Sequence, residues 1–161
     1  MKRTVLAILG CMLIALPLAM PALAHDYRVG DILIAHPWSR ATPPGARVGS
    51  GYLKIENKGG VPDRLIRVHM ERASRVEIHE MTISAGVMQM RELPVGIVIP
   101  PGAIVELKPG GLHVMFMDLG APLKHNDRLI GLLTFERAGT VSVEFVVEPI
   151  GTNPTPSNHS H

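Results

Sequence analysis

The chain has 161 residues, 46% of them apolar, with 16 Lys+Arg against 14 Asp+Glu and a single cysteine. Its charges are balanced and scattered, so no concentrated basic face is implied for nucleic acid or an anionic membrane. One cysteine excludes an internal disulfide, and stability has to come from the core.

Taken in chain order, the first segment reads as an export signal. Lys2 and Arg3 open it, Val5 to Leu18 are largely apolar, and Ala22-Leu23-Ala24 forms a small-residue cleavage site. Residues 1–24 are therefore predicted to be a cleaved signal peptide. The apolar run is short of the roughly 20 residues of a spanning helix, so no stable membrane insertion is expected after cleavage. Ile8-Leu9-Gly10-Cys11 also resembles a lipobox, but lipidation at Cys11 would leave the apolar Met12–Leu23 stretch on the mature protein. Cleavage after Ala24 removes two basic residues and the cysteine, which leaves a formally neutral, cysteine-free chain beginning at His25.

The predicted domain spans residues 25–150 and consists of short β-rich runs separated by Gly and Pro. Strands are predicted over Asp31–Ala35, Ser50–Glu56, Arg64–His69, Arg75–Ile83, Val87–Leu93, Ala103–Leu107, Leu112–Asp118, Arg128–Phe135 and Thr140–Val147. Turns are marked by Thr42-Pro43-Pro44-Gly45, Asn57-Lys58-Gly59-Gly60, Pro100-Pro101-Gly102, Pro109-Gly110-Gly111 and Ala138-Gly139. No long helical period appears, and many short strands with regular turns imply an all-β antiparallel sandwich or barrel. Residues 151–161 form a polar, Pro-containing tail that is expected to stay mobile.

Chemistry concentrates in three pairs of side chains. His79 and Met81, Met88 and Met90, and His113 and Met115 are each separated by one residue, with Met117 one step further. Residues two apart on a strand share a face, so each pair would present its donors to one side of a sheet. Thioether is soft and neutral, and together with imidazole it favours Cu(I) over zinc, calcium or magnesium. Any single Met is more readily explained as core packing. The coincidence is what argues for a site: six methionines follow residue 24, and five of them fall between positions 81 and 117.

Val76 to Ile83 and Val87 to Met90 read as a hairpin about Ser84-Ala85-Gly86. A loop with an even number of residues would put His79, Met81, Met88 and Met90 on one face, whereas an odd loop would flip one pair unless a bulge restored it. His159 and His161 could add a second, weaker Cu(II) site in the tail, and His25 could chelate Cu(II) with a terminal amine. His36, His69 and His125 are expected to be structural or exposed. No G-x-S-x-G elbow or H-E-x-x-H helix is present, and a blue-copper electron-transfer centre would need a cysteine that the mature chain lacks. The expectation is a protein that is not an enzyme. Two other readings stay open: a copper sequestration or resistance protein, and an exported structural sandwich with a Met-rich core.

Several segments resemble the PCuAC family of periplasmic copper chaperones over nearly the whole mature chain. They are Trp38-Ser39-Arg40-Ala41-Thr42-Pro43-Pro44-Gly45-Ala46, Gly51-Tyr52-Leu53 with Ile55-Glu56-Asn57-Lys58-Gly59-Gly60, and Pro109-Gly110-Gly111-Leu112-His113-Val114-Met115. The family's motif is a His, ten residues, a Met, about twenty residues, then His-x-Met, which maps here onto His79, Met90, His113 and Met115. The second gap is 22 residues, with the extra residue assigned to the Leu93-Pro94-Val95-Gly96 loop. The resemblance implies these four as Cu(I) ligands, flanked by Met81, Met88 and Met117. It also implies a cupredoxin-like Greek-key sandwich in the periplasm; a monomer is expected. Such a protein would deliver copper to the binuclear centre of a haem-copper oxidase subunit, beside a Sco-type thiol protein.

Overall fold

The computed structural model describes residues 26–152; the proposed signal segment, Cys11, His25 and the tail histidines His159 and His161 lie outside the described residues. Eleven strands and no helix occur among the described residues. They are β1 (Tyr27–Val29), β2 (Ile32–Arg40), β3 (Val48–Asn57), β4 (Asp63–Met70), β5 (Ala73–Ser84), β6 (Val87–Glu92), β7 (Ile97–Ile99), β8 (Ile104–Leu107), β9 (Leu112–Leu119), β10 (Arg128–Phe135) and β11 (Gly139–Glu148). The hydrogen-bonded order is β6-β5-β9-β3-β2-β11-β10-β4-β7, with β1 paired to β2 and β8 paired to β3.

Alternation along the strands explains how this sheet encloses a core. In β10, Leu129, Gly131, Leu133 and Phe135 point inward while Arg128, Ile130 and Leu132 point out, the period of two that a half-buried strand requires. Inward residues of β2, β3, β4, β9, β10 and β11 form one core that includes Ile34, Ile55, Leu65, Val114, Phe116, Leu133 and Phe145. Phe116 on β9 meets Phe145 on β11 edge-on, with ring centroids 5.7 Å apart. Because β3 and β2 separate these strands in the sheet, the contact crosses the core and the sheet is folded into two layers. Gly51 and Gly131 allow that pair to pack. A Cβ at Gly51 would lie 2.5 Å from Phe116 Cζ, and one at Gly131 would lie 2.7 Å from Phe145 Cε2.

The all-β, cupredoxin-like class is as expected, with one correction to the antiparallel description. β11 runs parallel to β2 through Val146–Trp38 to Glu148–Arg40, so the sheet is mixed. β1 and β7 escaped the sequence reading because three residues are too few for alternation to register. β2 continues past the predicted Ala35 to Arg40. Pairing with β3 lapses between Ala35 and Trp38, and this bulge accommodates Pro37 and the positive φ of His36.

The hairpin question is settled by the turn. Ser84 pairs with Val87, so the loop is the two residues Ala85 and Gly86, both at positive φ (50° and 77°), as a type I′ turn requires. The loop is even, and Met81 lies directly opposite Met90.

Two predictions concern the frame. Ala85 bears a Cβ in left-handed backbone, which Asn tolerates better; Ala85→Asn is expected to stabilise the protein by about 0.5–1 kcal/mol, read as a higher urea midpoint at unchanged slope. Elsewhere, Arg72 Nη1 donates to Asp127 Oδ2 at 2.8 Å, and the Lys124 amide donates to the same oxygen at 3.1 Å. The Arg72 hydrogen bond, followed by that of Lys124, holds the Asp127 carboxyl below its ordinary 3.8. A depressed folded value contributes stability above 3.8 and loses it as pH falls through the lower folded value. Asp127→Asn should therefore cost about 1 kcal/mol at neutral pH, and the gap should close toward pH 2 in urea titrations at a series of pH values.

Candidate metal centre

The donors gather on the outward face of the three strands at one end of the sheet, β6-β5-β9. β9 turns Val114 and Phe116 into the core, so its alternate residues His113, Met115 and Met117 face the other way. β5 behaves likewise, burying Ile78 and presenting Glu77, His79 and Met81 outward. The strand register then decides who meets whom. His79 pairs directly with His113, Glu77 with Met115 and Arg75 with Met117, while on the other side of β5 Met81 pairs with Met90 and Ile83 with Met88.

His79 and His113 form the centre of this array. Their ring centroids are 5.8 Å apart at an interplanar angle of 45°. Both are shielded, His113 being 4% exposed and the His79 side chain 13%. Each ring is held through one nitrogen. His113 Nδ1 donates to the Gly111 carbonyl at 2.9 Å, which leaves its Nε2 as the lone-pair nitrogen. His79 Nε2 lies 2.8 Å from Glu77 Oε2, and His79 Nδ1 is buried with no hydrogen-bond partner.

The two thioethers named with these histidines sit on opposite sides of the pair. Met115 is half-buried on β9, one register step toward Glu77. Met90 is displaced the other way, level with Met81, on the edge strand β6, and is 47% exposed. β6 and β9 are separated by β5, roughly 9–10 Å across the strands, and Met90 and Met115 are also offset along them by the four residues from Met81 to Glu77, roughly 13 Å, so sharing one ion between them would draw on the three rotatable bonds of each side chain and on movement of the exposed edge strand. Met81 is half-buried and closer to the imidazole pair in register. Met88 lies further out at 62% exposure. Met117 is engaged elsewhere, since Arg75 Nη2 contacts its sulfur at 3.3 Å.

The donor chemistry fits a soft ion. No group of three or more His, Cys, Asp or Glu side chains suited to a metal ion occurs among the described residues. Two shielded imidazoles surrounded by thioethers match the preferences of Cu(I), and a buried nitrogen with no partner is the kind of atom that a metal would satisfy. Glu77 and Arg75 were not singled out in the sequence, although Glu77-x-His79-x-Met81 carries the same alternation as the donors. His36, His69 and His125 are exposed, as anticipated, and His36 and His69 lie on β2 and β4, outside the three strands of this face.

Comparison with known proteins agrees with this picture. The model of the LpqE-like family matches residues 32–147. The protein Lxx21020 of Leifsonia xyli subsp. xyli (strain CTCB07) is 28% identical over 143 residues, covering 89% of this chain and 83% of its own length. Among solved structures, the copper-bound PCuAC domain from PmoF2 superposes with a TM-score of 0.67 at 33% identity, covering 78% of this chain and 98% of that domain. The Cu(I) form of DR1885 from Deinococcus radiodurans gives a TM-score of 0.59 at 27% identity, over 79% of this chain and 83% of that one. With most of the sandwich matched by the family model and a PCuAC domain matched almost end to end, the chain belongs to the LpqE-like family and is of the PCuAC type.

Proposed function

We propose that the protein is an exported copper chaperone that binds one Cu(I) through His79, His113, Met90 and Met115 and passes it to an acceptor with stronger ligands. The observation that carries the reading is the direct cross-strand pairing of two shielded imidazoles, each with one nitrogen left unpartnered by the fold, among thioethers on one face. Similarity to domains whose structures hold copper supports it. Export is inferred from residues 1–24 and from the lipoprotein character of the family. No helix among the described residues is long and apolar enough to cross a membrane.

The ligand set explains why such a carrier would release its cargo. Neutral thioethers bind Cu(I) more weakly than a thiolate, so transfer to a cysteine-bearing acceptor runs downhill without a nucleotide or a redox step. The surface around the site is open at Met88 and Met90, which leaves a direction of approach for that acceptor. We assign the acceptor to the binuclear copper centre of a haem-copper oxidase, reached directly or through a Sco-type thiol protein in the periplasm. The role is carriage, with no catalytic step.

Anaerobic titration with Cu(I) against a competing chelator tests this. The wild-type protein should take up one equivalent; His113→Ala should weaken binding by about 100-fold and Met90→Leu by about 10-fold, with folding intact. Unchanged binding in both variants would move the site elsewhere. Protons compete with the metal for imidazole, so affinity should drop as pH is lowered from about 7.5 to about 5, and a flat profile over that interval would refute histidine ligation.

A further inference from the structure

We propose that Glu77 is the positioning residue of this centre. It fixes His79 with its proton on Nε2, so that the ring offers Nδ1 to the metal; the proposal rests on the reading of the His/Met face as a Cu(I) site. A carboxylate accepts hydrogen bonds and does not donate, so the 2.8 Å contact from His79 Nε2 to Glu77 Oε2 places the proton on Nε2. In the neutral ring the lone pair is then on Nδ1, the atom that is buried and without a partner.

Glu77 is itself oriented. Its second oxygen, Oε1, forms an ion pair with Arg75 Nε at 3.2 Å, and the same guanidinium reaches Met117 Sδ through Nη2 at 3.3 Å. Arg75, Glu77 and His79 are successive outward residues of one strand, so the line of contacts runs along β5 and ends on the ring that faces His113. It also accounts for Met117, whose sulfur is occupied by Arg75 and so stands apart from the donor set.

The two histidines would consequently bind through different nitrogens. His113 is tethered at Nδ1 by the Gly111 carbonyl and offers Nε2; His79 is tethered at Nε2 and offers Nδ1. A carboxylate behind a metal-bound imidazole orients the ring and raises its basicity. The competing account makes Glu77 and His79 a simple ion pair that stabilises the strand, and the tautomer measurement separates the two.

Proton-nitrogen correlation spectra of the 15N-labelled, metal-free protein at about pH 8 read the tautomer directly. His79 should show the proton on Nε2 alone in the wild type, and Glu77→Ala should shift it toward the mixture seen in free histidine, in which an Nδ1–H minority accompanies the Nε2–H form. A proton on Nδ1 in the wild type, or an unaltered tautomer in Glu77→Ala, would overturn the proposal. Cu(I) competition supplies the second readout. Glu77→Ala should weaken binding by about 10- to 100-fold, while Glu77→Gln, whose amide oxygen still accepts from Nε2–H, should recover part of it; unchanged affinity in Glu77→Ala would also overturn the assignment. If Glu77→Ala does not fold, the wild-type tautomer decides alone. If the wild type takes up no Cu(I), the metal reading fails while the tautomer measurement still stands.

Discussion

The pairing of β5 with β9 is the constraint on which the rest of the site depends. It places His79 opposite His113, and every other donor takes its position from that one register. A shift of one residue would turn one strand's whole donor set to the other face, bringing Val114 and Phe116 outward and His113 into the core. That alternative is opposed by the largest buried side chains of the molecule, since Phe116 fills the space against Phe145 above Gly51. The hydrophobic core thus enforces the registration of a polar face it never touches.

Preorganisation follows from the same arrangement. Both rings are held by partners two residues away in sequence, His79 by Glu77 on its own strand and His113 by Gly111 just before β9, so their orientations are set locally once the strands are extended. Met90 and Met88 stand at the exposed edge, where side chains can rearrange.

Much of this was legible in the sequence, for reasons that can be traced to particular residues. The period-two pattern in Arg128–Phe135 and Leu112–Leu119 gave strands whose limits agree with the structure within a residue. The shared face of His79, Met81, Met88 and Met90 could be stated only conditionally, because it hinged on whether Ser84 belonged to the loop. Ala85 is not a residue that advertises positive φ, and only its actual conformation closes the turn in two residues. The parallel pairing of β11 with β2 joins segments about a hundred residues apart, and nothing in either segment encodes it. Glu77 and Arg75 were overlooked because a carboxylate and a guanidinium beside a histidine are ordinary on a strand surface. Their meaning appears only with the 2.8 Å and 3.2 Å contacts that link them to the ring.

The chemistry of the line Arg75–Glu77–His79 bears on how a monovalent ion would be held by neutral ligands. Four thioether and imidazole donors leave the charge of Cu(I) uncompensated, and a carboxylate one hydrogen bond away supplies a counter-charge without entering the coordination sphere. A directly ligating carboxylate would suit harder cations and would compete with the thioethers for position. Holding Glu77 through Nε2 keeps its charge near and its oxygens away, while Arg75 on the other oxygen limits how negative the face becomes. In the proposed site, selectivity for a soft ion would rest on the thioethers and retention of its charge on the carboxylate behind His79.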